Sequence, residues 1–463
     1  MKDFFGEQVL LNNATGEKLY NNYAKALPII DYHCHLNPAE IMQDKKYDNI
    51  GELWLAGDHY KWRAMRQNGI PEELITGKAD YKDKFLAYAG TMPYAIGNPL
   101  YYWSHMELAQ LFNIHEPLCA KNAESIWLKA NERIAQGDFT ARNLIKRCNV
   151  EVICTTDDPS DDLSFHKQMA QDSTLSVKVR PTFRPDISCT GLNRADFTQY
   201  INKLALSANI EINTFADLLK AMETRLAYFN ENGCKVADHG MTSIPSLRGT
   251  YEDAVAAFTL SLKGQTVPFE MLEKYSDYML RFFAVRYYKL NWVMQLHMSP
   301  LRNVNSKMFK QVGADAGFDT IGEAPSATVL ARILDDISLE AGLPKTIFYS
   351  LNPTVNDMLA ALTGGFSQDS AGKIQLGSAW WFNDHLDGIR SQLRTAAACG
   401  LLGHFNGMLT DSRSFTSYVR FDFFRRILCS EIGDWIEKGE YAADAEEIVT
   451  AICYRNAKKY INI

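Results

Sequence analysis

Eight times along this chain a short apolar, β-branched run ends in polar or titratable residues and gives way to a longer helical pattern. Ala-Leu-Pro-Ile-Ile (26–30), Val-Glu-Val-Ile-Cys-Thr-Thr (150–156), Ser-Val-Lys-Val-Arg-Pro-Thr-Phe (176–183) and Cys-Lys-Val-Ala (234–237) come first. Trp-Val-Met-Gln-Leu (292–296), Lys-Thr-Ile-Phe-Tyr-Ser-Leu (345–351), Ile-Gln-Leu-Gly-Ser-Ala (374–379) and Phe-Asn-Gly-Met-Leu-Thr (405–410) follow. Helical stretches between the runs call for parallel strands joined by crossovers. The pattern therefore predicts an α/β fold, a (β/α)8 TIM-like barrel. Such barrels carry their chemistry at the C-terminal strand ends, where the polar residues of these runs fall.

The spacing is uneven. The first two runs lie about 115 residues apart, far more than one crossover helix needs. That interval holds helical patterns and aromatic clusters (Trp54, Trp62, Tyr101, Tyr102, Trp103) and reads as a helical insertion at 40–145, packed at the active-site mouth. The whole chain, 1–463, reads as one barrel unit, with a long amphipathic helix over Glu270–Leu290 and a closing helix over Phe421–Ile432.

Composition removes several classes of function. The formal net charge is −7, which argues against a nucleic-acid or anionic-membrane surface. No apolar run approaches the ~18 residues that a membrane span requires. The 9 cysteines are scattered without a CxxC, as in a reduced, cytoplasmic protein. The first residues, Met-Lys-Asp-Phe-Phe-Gly-Glu, carry acids where a signal peptide would be apolar. There is no Walker-type phosphate loop, no G-x-S-x-G elbow and no HExxH.

His33-x-His35, just after the first run, carries the strongest local signal. Side chains alternate along a strand, so both imidazoles face the same way, toward the barrel interior. Two neutral imidazoles there suit a divalent metal such as zinc, although two unrelated core histidines would look the same. Asp411 ends the eighth run, which a closed barrel sets beside the first. Its carboxylate suits a metal ligand or a base, or else a plain helix N-cap in Asp411-Ser412-Arg413-Ser414. His297 and the pair Asp238-His239 are weaker candidates, because a lone histidine is more often a satisfied core residue. Arg184, Arg302 and Arg413 each follow a strand-like run and together would make a cationic site for a carboxylate or phosphate. His59-Tyr60 with Arg63 starts a helical pattern inside the insertion. Trp380-Trp381 suits stacking on a sugar ring, with core packing as the commoner role.

These residues resemble a known family. Asp31-Tyr32-His33-Cys34-His35 with an Asp after the eighth strand looks like the amidohydrolase superfamily. The blocks Ala56–Arg63, Met294–His297, Arg302-Asn303, Trp380–Asp384 and Gly407–Phe415 narrow it to the uronate isomerase (glucuronate isomerase) family, over the full length. One departure is Arg302-Asn303-Val304-Asn305, where the family carries a run of Asn; the Arg stays in place. The resemblance implies aldose–ketose interconversion of D-glucuronate with D-fructuronate and of D-galacturonate with D-tagaturonate. It implies one divalent metal ion, zinc before others, at His33, His35 and Asp411. On that reading Asp411 is the base, Tyr60 the proton shuttle and Arg413 the group that holds the enediolate. His59, Arg184, His297, Arg302 and Trp381 then line the substrate pocket. A small uronate is the expected partner, and a homo-oligomer, with a trimer as one form, is the expected assembly. The alternative is a metal-dependent hydrolase of the same superfamily acting on a sugar-acid lactone or amide. It would need a bridging Lys or Glu at the end of strand four, and Lys235 sits too early in that run.

Overall fold

The computed structural model describes residues 3–442 and 444–463. Seven of the eight runs form parallel strands: β1 (Ile29–Asp31), β2 (Val150–Cys154), β3 (Lys178–Arg180), β4 (Val236–Met241) and β5 (Val293–Met298), then, after a small ribbon, β8 (Lys345–Ser350) and β9 (Ile374–Leu376). The ribbon, β6 (Pro300–Leu301) against β7 (Thr320–Ile321), is antiparallel and lies outside the ring. Hydrogen-bonded ladders run β1-β2-β3 and β4-β5-β8-β9. Phe183, just beyond β3, joins the two: its N–H donates to Val236 O at 3.0 Å and its carbonyl accepts from Asp238 N at 3.0 Å.

The eighth run departs from expectation. Residues 405–410 form no ladder strand. Gly407, at φ 71°, breaks the extended backbone that a ladder needs. Side chains hold the segment in place instead. Asp31 accepts from Thr410 N at 2.9 Å and from Thr410 Oγ1 at 2.6 Å, and Tyr32 OH donates to Gly407 O at 2.9 Å. On the other flank, Asn406 N donates to Gln375 Oε1 of β9 at 3.2 Å. The segment thus fills the gap between β9 and β1 as an eighth stave, and the (β/α)8 barrel closes.

Between β1 and β2 the chain is helical, with Pro38–Met42, Ile50–Leu55, His59–Gln67, Tyr81–Thr91, Pro99–Phe112, Ala123–Ile134 and Ala141–Arg147 in succession. These helices share one apolar core with the Val419–Glu437 helix, built around Trp54, Phe85, Trp103, Phe423 and Ile427. A second core packs the helices around β4, β5, β8 and β9. The barrel interior is a third, smaller cluster that includes Tyr32, Val152, Val236, Tyr349, Trp380 and Leu409. Two of the outer helices, Phe215–Glu231 and Tyr251–Leu262, begin with Thr–Asp capping boxes, each worth about 1 kcal/mol. No helix among the described residues is long and apolar enough to cross a membrane, and all nine cysteines are free thiols.

Candidate active site

His33 and His35 follow β1 on chain that still pairs as a strand, with Cys34 N donating to Cys154 O at 3.0 Å. Alternation turns both imidazoles to one side while Cys34 is buried on the other. Asp411 meets them from the eighth stave. His33 Nε2 and His35 Nε2 each stand 3.1 Å from Asp411 Oδ1, and Trp380 Nε1 donates to Oδ2 at 2.7 Å. Asp411 sits in the left-handed region at φ 47°, strain that is maintained because its N–H donates to His33 O at 3.1 Å. It is not an N-cap: the following turn, Phe415–Tyr418, is capped by Ser414.

Register along β4 sorts the Asp238-His239 pair. Asp238 turns inward and is fully buried: its Oδ1 accepts from His297 Nδ1 at 2.6 Å and its Oδ2 from Arg184 NH1 at 2.9 Å. His239 turns outward to Tyr287 OH at 3.1 Å, the satisfied-core arrangement, and burial pushes it down to about 4. Arg184 is held a second time by Asp186, at 2.8 Å from Nε, and packs so close to β4 that a Cβ on Gly240 would come within 2.3 Å of NH2. The His297 ring lies flat against Tyr349 (4.4 Å, 5°) and against His33 (4.5 Å, 30°).

The electrostatics favour cation binding. Burial pushes His35 down to about 4, so it is neutral with a free lone pair. Burial opposes protonation of His33 as well, but the Asp238 and Asp411 carboxylates outweigh it and raise its pKa. Asp411 would be raised by burial, yet the hydrogen bonds from His33 and His35 hold it well below the usual carboxylate range. The donor atoms of His33, His35 and Asp411 lie within 4.8 Å of one another, as do those of His33, Asp238 and His297. His33 Nδ1 and His297 Nε2 are buried without a hydrogen-bond partner, a costly state for a polar atom. Imidazoles and carboxylates in this number fit a divalent metal ion.

Above this floor stands the His59–Gln67 helix. Asp58 caps it, accepting from Tyr60 N at 3.0 Å and Lys61 N at 3.2 Å, while Lys61 Nζ donates to its second oxygen at 2.8 Å. The His59 ring stacks on Tyr60 (4.8 Å, 22°) and meets Trp381 edge-on (5.5 Å, 76°). Burial, followed by the Asp411 charge, holds Tyr60 well above the usual phenol range, so it is a protonated donor. Arg420, buried under it, places its guanidinium 3.8 Å from the Trp103 ring and 5.6 Å from Tyr60. At the rim, Arg302 lies 5.5 Å from the Trp381 ring, and Arg413 NH2 donates to Asp315 Oδ2 at 2.8 Å.

The ten residues that the family resemblance placed in the site, His33, His35, His59, Tyr60, Arg184, His297, Arg302, Trp381, Asp411 and Arg413, line one cavity of about 770 Å³, as does Trp380, whereas Asp238, His239 and Arg63 stand outside its lining. Sequence reasoning missed the Trp380 bond to Asp411, the Asp238–His297 pair as a unit, Arg420 and Asp315. A barrel register would have found Asp238; Asp315 sits in a loop that carries no motif.

A family model for glucuronate isomerase matches residues 1–461. The chain belongs to the glucuronate isomerase family. Two relatives share nearly half of its residues along almost the whole length. The uronate isomerase of Caldanaerobacter subterraneus subsp. tengcongensis is 48% identical over 469 residues, covering 100% of both chains. That of Shouchella clausii is 47% identical over 463 residues, covering 99% of this chain and 98% of its own. Among solved structures, the uronate isomerase of Thermotoga maritima superposes with a TM-score of 0.93 at 31% identity, over 98% of this chain and 99% of its own. The glucuronate isomerase of Caulobacter crescentus gives 0.90 at 23% identity, over 99% and 96%, a likeness that speaks for the barrel fold alone. As a member of the glucuronate isomerase family the protein is an enzyme, an isomerase, and the hydrolase alternative is not favoured.

Proposed function

We propose that this isomerase interconverts D-glucuronate with D-fructuronate and D-galacturonate with D-tagaturonate, by moving a proton from C2 to C1 through an enediol. The observation that carries the reading is the convergence of Asp411, Tyr60 and Arg413 on one cavity. A carboxylate, a phenol and a guanidinium are the base, proton donor and anion holder that the reaction asks for.

Asp411 takes the C2 proton, and the bonding pair becomes the C1=C2 double bond. The carbonyl pair moves to O1, which Tyr60 protonates. In the second half O2–H returns its proton to Tyr60, the O2 pair forms the C2 carbonyl, and Asp411 delivers its proton to C1. Arg413 holds O2 and O3 and balances charge on the enediolate. Arg302, together with Arg184, takes the C6 carboxylate, and Trp381 and His59 form the wall. A divalent ion, zinc before others, held by His33, His35 and Asp411, would supply Lewis-acid polarisation and an anchor for sugar oxygens. Asp238 fixes His297 through Nδ1, which leaves Nε2 as a free acceptor or donor toward the same centre. The chain acts as a single barrel unit in which residues 40–145 supply the active-site wall. Its nine free thiols suit the reducing cytoplasm.

A coupled assay on glucuronate and galacturonate, with and without chelator, tests the reading. We expect turnover of both, loss on chelation and recovery on adding zinc. A metal-replete enzyme that turns over neither uronate would overturn it.

A further inference from the structure

Asp315 belongs to the loop after the Ser306–Val312 helix and faces both arginines of the rim. Its Oδ2 accepts from Arg413 NH2 at 2.8 Å, and its Oδ1 stands 3.6 Å from Arg302 NH1. The loop is anchored from two sides. From the helix that carries Tyr60, Arg63 NH1 donates to Gly317 O at 3.2 Å and Asp319 O at 2.7 Å, and Arg66 NH1 donates to Ala316 O. From the arginine side, Asn303 N donates to Asp319 Oδ1 at 2.7 Å. Gly317, at φ +92°, passes so close that a Cβ would lie 2.9 Å from His59 O. Asp315 and Asn303 both adopt left-handed backbone, each at φ 54°. Strain of that kind persists only where the surroundings over-determine it.

We infer that Asp315 is a positioning residue for the isomerisation, holding Arg413 and Arg302 at one spacing through a loop that the Tyr60 helix clamps. The inference rests on the roles proposed above for Arg413, Arg302 and Tyr60. Its physical basis is charge and rigidity together. Two guanidinium groups facing the same space repel each other and, left alone, draw in any small anion. Asp315 is the carboxylate they share: it cancels one charge and sets the direction of the Arg413 fork, while Asp319 Oδ2, also 3.6 Å from Arg302 NH1, holds Arg302 from the other end of the same loop. The proton donor and the anion-binding pair then take their positions from one helix. A misplacement of about 1 Å in such a group costs on the order of 100-fold in rate.

The test is Asp315→Asn, which keeps the shape and removes the charge, assayed beside the wild type with glucuronate. We expect kcat to fall about 10- to 100-fold, KM to stay level or drop, and inorganic phosphate to become a competitive inhibitor several-fold tighter than for the wild type. Asp315→Glu should recover part of kcat. A merely structural loop would leave phosphate inhibition unmoved. So kcat and phosphate inhibition both within twofold of wild type, or a raised KM with unchanged phosphate inhibition, would overturn the inference. A wild type inactive on uronates would instead overturn the proposed function, so the two failures are separable.

Discussion

The floor of the cavity and its rim are built by opposite means. At the floor, His33 is 1% exposed and Asp238 0%, and the histidines and Asp238 come from strands or their direct continuation, with Asp411 on the stave beside them. At the rim, the Arg302 and Arg413 side chains are 39% and 40% exposed and stand on loops. A buried polar group without a partner costs several kcal/mol at most and about 1–3 in practice, so the floor admits few arrangements. A half-exposed ion pair contributes about 0–1 kcal/mol and orders little by itself. The rim therefore depends on what clamps it, and the clamp is the insertion, through Arg63 and Arg66. Depth over-determines the chemical centre, whereas recognition at the surface is borrowed from a neighbouring element.

Three measurements bear on that contrast. The largest effect belongs to the floor. Asp411→Asn should lower kcat by about 1,000-fold or more, in the upper range for a lost acid–base group, while circular dichroism shows the fold retained. Loss of less than tenfold would mean that the floor does not hold the base. Tyr60→Phe, on the clamping helix, should cost about 100-fold in kcat with KM changed only a few-fold, since the hydroxyl acts in the transition state. Equal losses in kcat and substrate affinity would make Tyr60 a wall rather than a donor.

The smallest effect concerns stability beneath the cavity. Burial pushes Asp157 up to about 7, although Thr155 Oγ1 donates to it at 2.7 Å and Thr182 N at 3.1 Å. Because its folded pKa exceeds its unfolded one, the folded state binds the extra proton between pH ~4 and ~7, and stability from this group falls as pH rises through that window. Asp157→Asn removes the dependence. Relative to wild type, its Tm should rise by about 1–3 °C between pH 5 and pH 8. Parallel Tm profiles for the two proteins would show that burial does not strain this carboxyl.

Much of the site is legible along the chain because its logic is local. The two-residue period brings His33 and His35 to one side whatever the rest of the chain does. The Asp58 cap makes His59 and Tyr60 the start of a helix, and seven of the eight apolar runs become strands. The eighth does not, because Gly407 breaks it and Asp31, Tyr32 and Gln375 take over its bonds. Asp238 and His239 look alike in sequence, yet one serves the site and the other the core, since only the β4–β5 register says which side faces in. Asp315 carries no local signal at all.

By itself, then, the amino-acid sequence determined the strands, the inward pairing of the two histidines and the chemistry of the donors. Only the tertiary structure decided who meets whom: His33 and Asp411 lie 378 residues apart in the chain and 3.1 Å apart in space. The reason is physical. Side-chain direction follows from backbone dihedrals one or two residues away, whereas the meeting of distant groups depends on ring closure, loop clamps and the cost of leaving buried polar atoms unpartnered.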